Sequence, residues 1–300
     1  MNDYLNKNKK LGAIIFGLIN VVLAFLSTRF LVFAFFIPIF TAIKLWELND
    51  KNKMIFLFTT GLFSAILNIR MTIFLMSPMI IFGNVLYDLI KKNKTDKYSL
   101  KVLTIIFSVL SLTIIGYLYS KSDINLNFLV DATEKIFKDQ NFKINKVIIR
   151  KSLKAIPLVF IFFSLIYSMI SLKLVRNYLN YKNENIRDLR RINTIRIDIK
   201  DLRDIFICLI ISAILCKILS FSNEFILLNS IMALKLLFCV NGVLLIDYFV
   251  SLKKSKAARI INWFLLFILF AYISEIIAII GFIDVFLNLR RKARIAWRKN

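Results

Sequence analysis

The sequence predicts an all-α polytopic membrane bundle of roughly eight to ten transmembrane helices, and three observations carry that expectation. Apolar side chains make up 59% of the 300 residues and mean hydropathy is +0.72, more hydrophobic surface than a soluble chain of this length can bury. Stretches such as Leu11 to Leu26, apart from Asn20, and Trp263 to Ile273 are apolar on every face. Such runs must satisfy their backbone groups internally, which in lipid means helices, and they lack the period-two alternation of a barrel strand. Basic residues cluster between the runs, the pattern that sets membrane topology.

Nine apolar runs follow in order: 11–26, 28–44, 54–69, 71–90, 102–119, 155–175, 205–221, 225–250 and 258–288. The first pair turns at Ser27-Thr28-Arg29 and the second at Asn68-Ile69-Arg70, which predicts two tight hairpins with tips on the same side. Residues 11–120 thus hold the first five helices, 121–154 an extracytoplasmic segment, 155–175 the sixth helix and 176–204 a basic cytoplasmic loop. Residues 205–289 hold the C-terminal helices and 290–300 a basic tail, all within one membrane domain, 1–300, without a Pro/Gly linker. In the outer segment, Asp131-Ala-Thr-Glu134 followed by Ile136 and Phe137 predicts a short amphipathic helix. Alternating Ile195, Ile197 and Ile199 in the inner loop hint at a strand.

With the N-terminus in the cytoplasm, inner segments carry 24 basic residues against ten outside. Nine crossings would then leave Arg290, Arg291 and Lys292 outside, against the same rule. The last run exceeds one crossing at 1.5 Å per residue, so it is expected to break near Ser274-Glu275 or Gly281 and double back, or an earlier run lies in the plane. Either repair returns the C-terminus to the cytoplasm. The first helix reads as retained, because no small-residue cleavage site follows it.

A net charge of +24 resembles that of a nucleic-acid binder, but its clustering between apolar runs assigns it to topology and to anionic inner-leaflet lipids, and no nucleic acid is expected. The chain contains no histidine, and only seven glycines. No dinucleotide, P-loop, zincin or nucleophile-elbow pattern occurs, so no catalytic residue, metal site or cofactor is expected. Cys208, Cys216 and Cys239 lie in apolar runs and read as small hydrophobes. An ATP-driven activity would need a membrane protein partner.

What remains is ionisable residues in apolar runs: Lys217, Lys235, Asp247, Glu275 and Asp284. Each costs at least ~2.5 kcal/mol at bilayer depth, so such groups face the bundle interior or find partners. Glu275 and Lys235 either pair or line a polar cavity with Asn241 and Asp247, or they are paired for structure alone. Asn20, Asn84, Asn229, Asn241 and Asn262 suit interhelical hydrogen bonds, with Asn241 also a candidate ligand contact. Arg29 and Arg70 at the hairpin tips suit an anion-binding pair or solvated contacts to headgroups. Asp284 suits a turn cap with Gly281, while Arg290, Arg291 and Lys292 suit a grip on anionic lipids. Trp46 and Trp263 fit an interfacial aromatic belt.

Asn229, Val240-Asn241-Gly242-Val243-Leu244-Leu245, and Ile280-Gly281-Phe282-Ile283-Asp284-Val285 before Leu289-Arg290-Arg291-Lys292 resemble the YybS-like family of bacterial membrane proteins, a domain of unknown function. Its members often show Gln-Gly where this chain has Asn241-Gly242. The N-terminal four-helix pattern with Pro38, Gly61 and Gly83 is similar to the solute-binding subunits of energy-coupling-factor transporters and to the cell-shape protein MreD. The likeness implies a non-enzymatic protein that binds or passes a small molecule with energy from a partner. The alternatives are a cell-envelope scaffold and, third, a lipid-modifying enzyme.

Overall fold

The computed structural model describes residues 2–121, 126–139, 145–184, 186, 192–218, 222–252 and 256–299. These fold as helices joined by short turns, and no strand occurs among them. The helices are α1 Asn2–Ser27, α2 Phe36–Glu47, α3 Asp50–Leu67, α4 Ile69–Met71, α5 Ser77–Lys91, α6 Asp96–Lys121 and α7 Leu126–Asp139. They continue with α8 Lys146–Lys154, α9 Ile156–Tyr181, α10 Ile199–Ile218, α11 Asn223–Leu252, α12 Lys256–Leu287 and α13 Leu289–Lys299. The chain packs as two compact units, Met1–Ile124 with Val159–Leu189, and Asn125–Leu158 with Arg190–Asn300.

In the first unit the two N-terminal hairpins interlock: α1 packs on α3 and α2 on α5. Glycine makes both contacts close. A Cβ on Gly17 would come within 3.1 Å of the Phe56 carbonyl, and one on Gly83 within 2.8 Å of the Pro38 carbonyl. Asn20 donates to Thr41 at 2.9 Å, tying α1 to α2 where both side chains are buried. Between α4 and α5, Thr72–Met76 forms a π turn, and Ser77 hydroxyl donates back to the Thr72 carbonyl. Phe35, Phe82, Phe107 and Phe163 gather round Tyr167, whose hydroxyl donates to the Phe35 carbonyl at 2.7 Å. Arg176 is ion-paired with Asp96, both buried, and lies 3.4 Å from the Lys94 carbonyl.

In the second unit α7 and α8 form a short amphipathic pair, where the sequence predicts one helix starting near Asp131. Lys146 joins them, bonding Asp131 at 2.9 Å and Glu134 at 3.1 Å. Asn145 caps α8 by accepting from Val147 N–H. The strand hinted at by Ile195, Ile197 and Ile199 does not form. Asp198 accepts from the N–H groups of Lys200 and Asp201, while Asp201 accepts from that of Asp198, a reciprocal cap that starts α10 at Ile199.

α12 folds back on itself, with Ala257–Phe270 and Tyr272–Leu287 bent by 115°. The first half runs antiparallel to α11, pairing Asp247 with Arg259 and packing Cys239 with Leu266. The second crosses α11 obliquely, with Gly242 against Ile277 and Asn241 against Asp284. The run therefore bends one turn before Glu275. The two limbs of about 21 and 24 Å each fall short of a ~30 Å hydrocarbon core.

The expectation of eight to ten crossings is corrected. Among the described residues five helices are long and apolar enough to span a membrane, Lys9–Ser27, Ile69–Lys91, Asp96–Ile114, Ile156–Tyr181 and Asn223–Leu252, or six if the bent α12 counts as one span. The run 28–44 divides into a 3-10 turn and the 12-residue α2, about 18 Å long. α3 and α10 have the length, but α3 opens on Asp50, Lys51 and Lys53, and α10 on Lys200, Asp201, Arg203 and Asp204.

Candidate functional site

At one end of α11 the second unit gathers ionisable and amide side chains from four places: the segment Asn193–Ile197, the last turns of α11, both ends of α12 and the start of α13. The backbone turn at Asn288 makes this convergence possible. Asn288 adopts φ +49°, the left-handed geometry that asparagine tolerates at a helix end. Its break lets Asp284 cap α13 by accepting from Leu289 N–H at 3.0 Å, and turns Arg290 back toward α11.

Asp247 is 1% exposed and accepts four hydrogen bonds. Arg259 supplies two, at 2.6 and 2.7 Å, a bidentate fork. Trp263 Nε1, one turn further along α12, donates at 2.9 Å, and Asn193 Nδ2 at 2.8 Å. Asn193 also reaches Ser251 Oγ at 3.0 Å.

Asn241 and Asp284 form the second node. Asn241 Nδ2 donates to the Gly281 carbonyl at 2.8 Å and lies 3.4 Å from Asp284 Oδ2. Arg290, 5% exposed, donates through Nη2 to the Asn241 carbonyl at 2.9 Å and to its Oδ1 at 3.1 Å, and through Nη1 to the Ile195 carbonyl. Its Nε lies 3.5 Å from Asp284 Oδ2. Burial pushes the Arg290 guanidinium down from its ordinary value, Asp284 pulls it up, and Arg196 pushes it down. Arg196 itself donates to the Asp284 carbonyl at 3.2 Å. Three guanidiniums, Arg196, Arg259 and Arg290, therefore face two carboxylates, Asp247 and Asp284, which leaves one positive charge in excess. Asn193 Oδ1 is buried with no hydrogen-bond partner in the cluster. A polar group of a bound molecule could satisfy that acceptor.

Of the residues singled out from sequence, Asn241, Asp247 and Arg290 meet here. Lys235 and Glu275 hydrogen-bond to each other about 9 Å further along α11, with the Glu275 side chain 73% exposed on the outer surface of the helix pair. Arg29 and Arg70 lie exposed at hairpin tips of the first unit, and Arg291 and Lys292 are exposed on α13. Sequence reasoning missed Asn193, Arg196 and Arg259, which read as parts of solvated basic loops. It gave Trp263 to the aromatic belt, and it gave Asp284 only its capping role. The i,i+4 spacing of Arg259 and Trp263 was the available signal. Among the described residues no group of three His, Cys, Asp or Glu could hold a metal ion.

No curated protein and no solved structure was found to match the chain. One family model does match, over residues 13–285, and the chain belongs to that family, DUF2232, described as predicted membrane proteins.

Proposed function

Starting from that membership, we propose that this is a non-enzymatic multi-pass protein of a bacterial cell membrane that binds or passes a small polar molecule, with energy supplied by a separate membrane protein. One observation carries the reading: seven polar side chains, Asn193, Arg196, Asn241, Asp247, Arg259, Asp284 and Arg290, converge between apolar helices, where ionisable groups are expensive and mark solute pathways. The return of α12 to the end of α11 where it began supports a cytoplasmic C-terminus and, with the basic loops, a cytoplasmic N-terminus. The exposed Arg291 and Lys292 of α13 then reach anionic inner-leaflet lipids.

The test is purification of the full chain from its native membrane in mild detergent, with mass spectrometry of the proteins and small molecules that travel with it. An ATPase subunit or a stoichiometric metabolite, lost in Asp247→Asn, is the expected result. The second reading, an envelope scaffold, draws on the mutual pairing of Asp247 with Arg259 and of Asp284 with Arg290. Recovery of cell-wall or division proteins with no small molecule would replace the first reading by the second.

A further inference from the structure

In the first unit α9 is polar within and apolar without. Ser164, Tyr167, Ser168, Ser171 and Arg176 all lie on its buried face. Val159, Ile166, Ile170 and Leu174 stand on the opposite face and are exposed. A lipid-spanning helix that turns its apolar residues outward and its hydroxyls inward has placed those hydroxyls where they must find partners.

Some of them do so within the helix. Ser164 donates to the Phe160 carbonyl four residues back, at 2.6 Å. Ser168 does not, nor do Ser99, Thr104 and Ser108 of α6: among the described residues these four hydroxyl oxygens are buried with no hydrogen-bond partner. Ser99 and Ser168 are both 0% exposed. Arg176 Nε is buried without a partner as well, although Nη1 reaches Asp96 and Nη2 lies 3.4 Å from the Lys94 carbonyl.

The five groups fall into a file. Asp96 meets Arg176 and Phe107 meets Tyr167, so α6 and α9 run in opposite directions past one another. Ser99 therefore stands near the level of Ser171, Thr104 near Ser168, and Ser108 near Ser164. On α6 these levels are about 7.5 and 6 Å apart at 1.5 Å per residue. Hydrogen bonds of 2.7–2.8 Å between oxygens let about one or two water molecules bridge each step. Hydroxyls both donate and accept, whereas Nε only donates, so the occupant must offer donors and acceptors together in a very small volume. Water is that occupant. Close helix packing, the other use of serine between membrane helices, would satisfy none of these atoms.

We propose that the buried stripe of α6 and α9 is a binding site for a file of water molecules, running from Ser108 through Thr104, Ser168 and Ser99 to Arg176 Nε. From Ser164 to Arg176 it follows α9 for about 18 Å, more than half the thickness of a hydrocarbon core.

The test is brief radiolysis of the full chain in nanodiscs in ¹⁸O-labelled water, which oxidises side chains beside bound water and is read by mass spectrometry. Tyr167 and Phe107, buried beside the file, are expected to take up label several-fold faster than Phe56, buried elsewhere in the same unit. Ser99→Ala with Ser168→Ala should lower the label at Tyr167. Unfolding of Ser168→Ala in detergent supplies an independent sign. If the hydroxyl binds water, its loss moves the midpoint down; if the interior is dry, the variant sheds an unsatisfied group and the midpoint moves up. Labelling of Tyr167 and Phe107 no faster than that of Phe56 overturns the proposal, as does a midpoint unchanged or raised in Ser168→Ala. The labelling comparison is made on the unaltered chain, so it decides the matter even where the double variant fails to fold.

Discussion

Asp247 and Arg259 face each other across the connection between α11 and α12, joined by two parallel hydrogen bonds at 2.6 and 2.7 Å although 12 residues apart. The carboxylate is 1% exposed at its side chain and the guanidinium 41%, so the two ends of the pair are not equivalent. Removing Arg259 strands a buried charge, whereas removing Asp247 lets Arg259 turn to solvent. Arg259→Ala is therefore expected to cost about 3 kcal/mol and Asp247→Ala less, with the double variant well short of the sum. Unfolding in detergent, run as a double-mutant cycle, checks the order and the coupling.

The α11–α12 crossing predicts a contrast among glycines. A Cβ on Gly281 would collide with the Phe238 carbonyl and one on Gly242 with the Ile277 carbonyl, backbone atoms that cannot swing aside. Gly281→Ala is expected to lower stability by about 1–3 kcal/mol. Gly61, inside α3, has nothing within 4 Å of the same position, and Gly61→Ala should gain about 0.5 kcal/mol from helix propensity alone. Denaturation in mixed micelles separates the two signs.

In the first unit Arg176 and Asp96 are both buried, at 1% and 3% exposure. Arg176→Ala leaves a buried carboxylate and is expected to cost about 3–5 kcal/mol. Arg176→Met with Asp96→Leu replaces the pair by apolar volume and should recover most of that loss. A pair of variants with equal stability would exclude charge as the cause.

The junction of α7 and α8 predicts a pH dependence. Hydrogen bonds from Lys146 and Lys138 hold Glu134 below its ordinary 4.5, and those from Lys146 to Asp131 and Glu134 raise Lys146 above its ordinary 10.5. A lowered carboxylate adds stability above pH 4.5 that is lost as pH falls through its folded value, and a raised lysine adds stability below pH 10.5 that is lost as pH rises through its own. Hydrogen exchange should find α8 best protected between those limits and opening on acidification, with the acid limb reduced in Glu134→Gln.

Several features were legible before any coordinates because they depend on chain-local physics. Runs such as Leu11 to Leu26 have no polar face to offer and must be helices in lipid. The break in the last run follows from its length against bilayer thickness and from the basic Arg290-Arg291-Lys292 beyond it. The number of crossings was not legible. Hydropathy scores residues 28–44 as one run, whereas the 3-10 turn Leu31–Phe35 divides it, and charged first turns disqualify α3 and α10. The candidate site was half legible. Asn241 and Asp247 stood out as polar groups inside an apolar helix, while Arg259 and Asn193 looked like solvated loop residues because a charge next to a helix end carries no sign of which way it turns.

The sequence by itself determined the class of solvent, the helical backbone and the polar residues that had to find partners, since each follows from the free energy of transferring a local segment into lipid. Only the tertiary structure decided who those partners are. Asn288 at positive φ turns Arg290 inward and leaves Arg291 exposed, and the fold-back of α12 brings Arg259 and Asp284 to the same end of α11. These are choices of direction between neighbouring residues of like charge, and direction is set by long-range packing that no window of sequence contains.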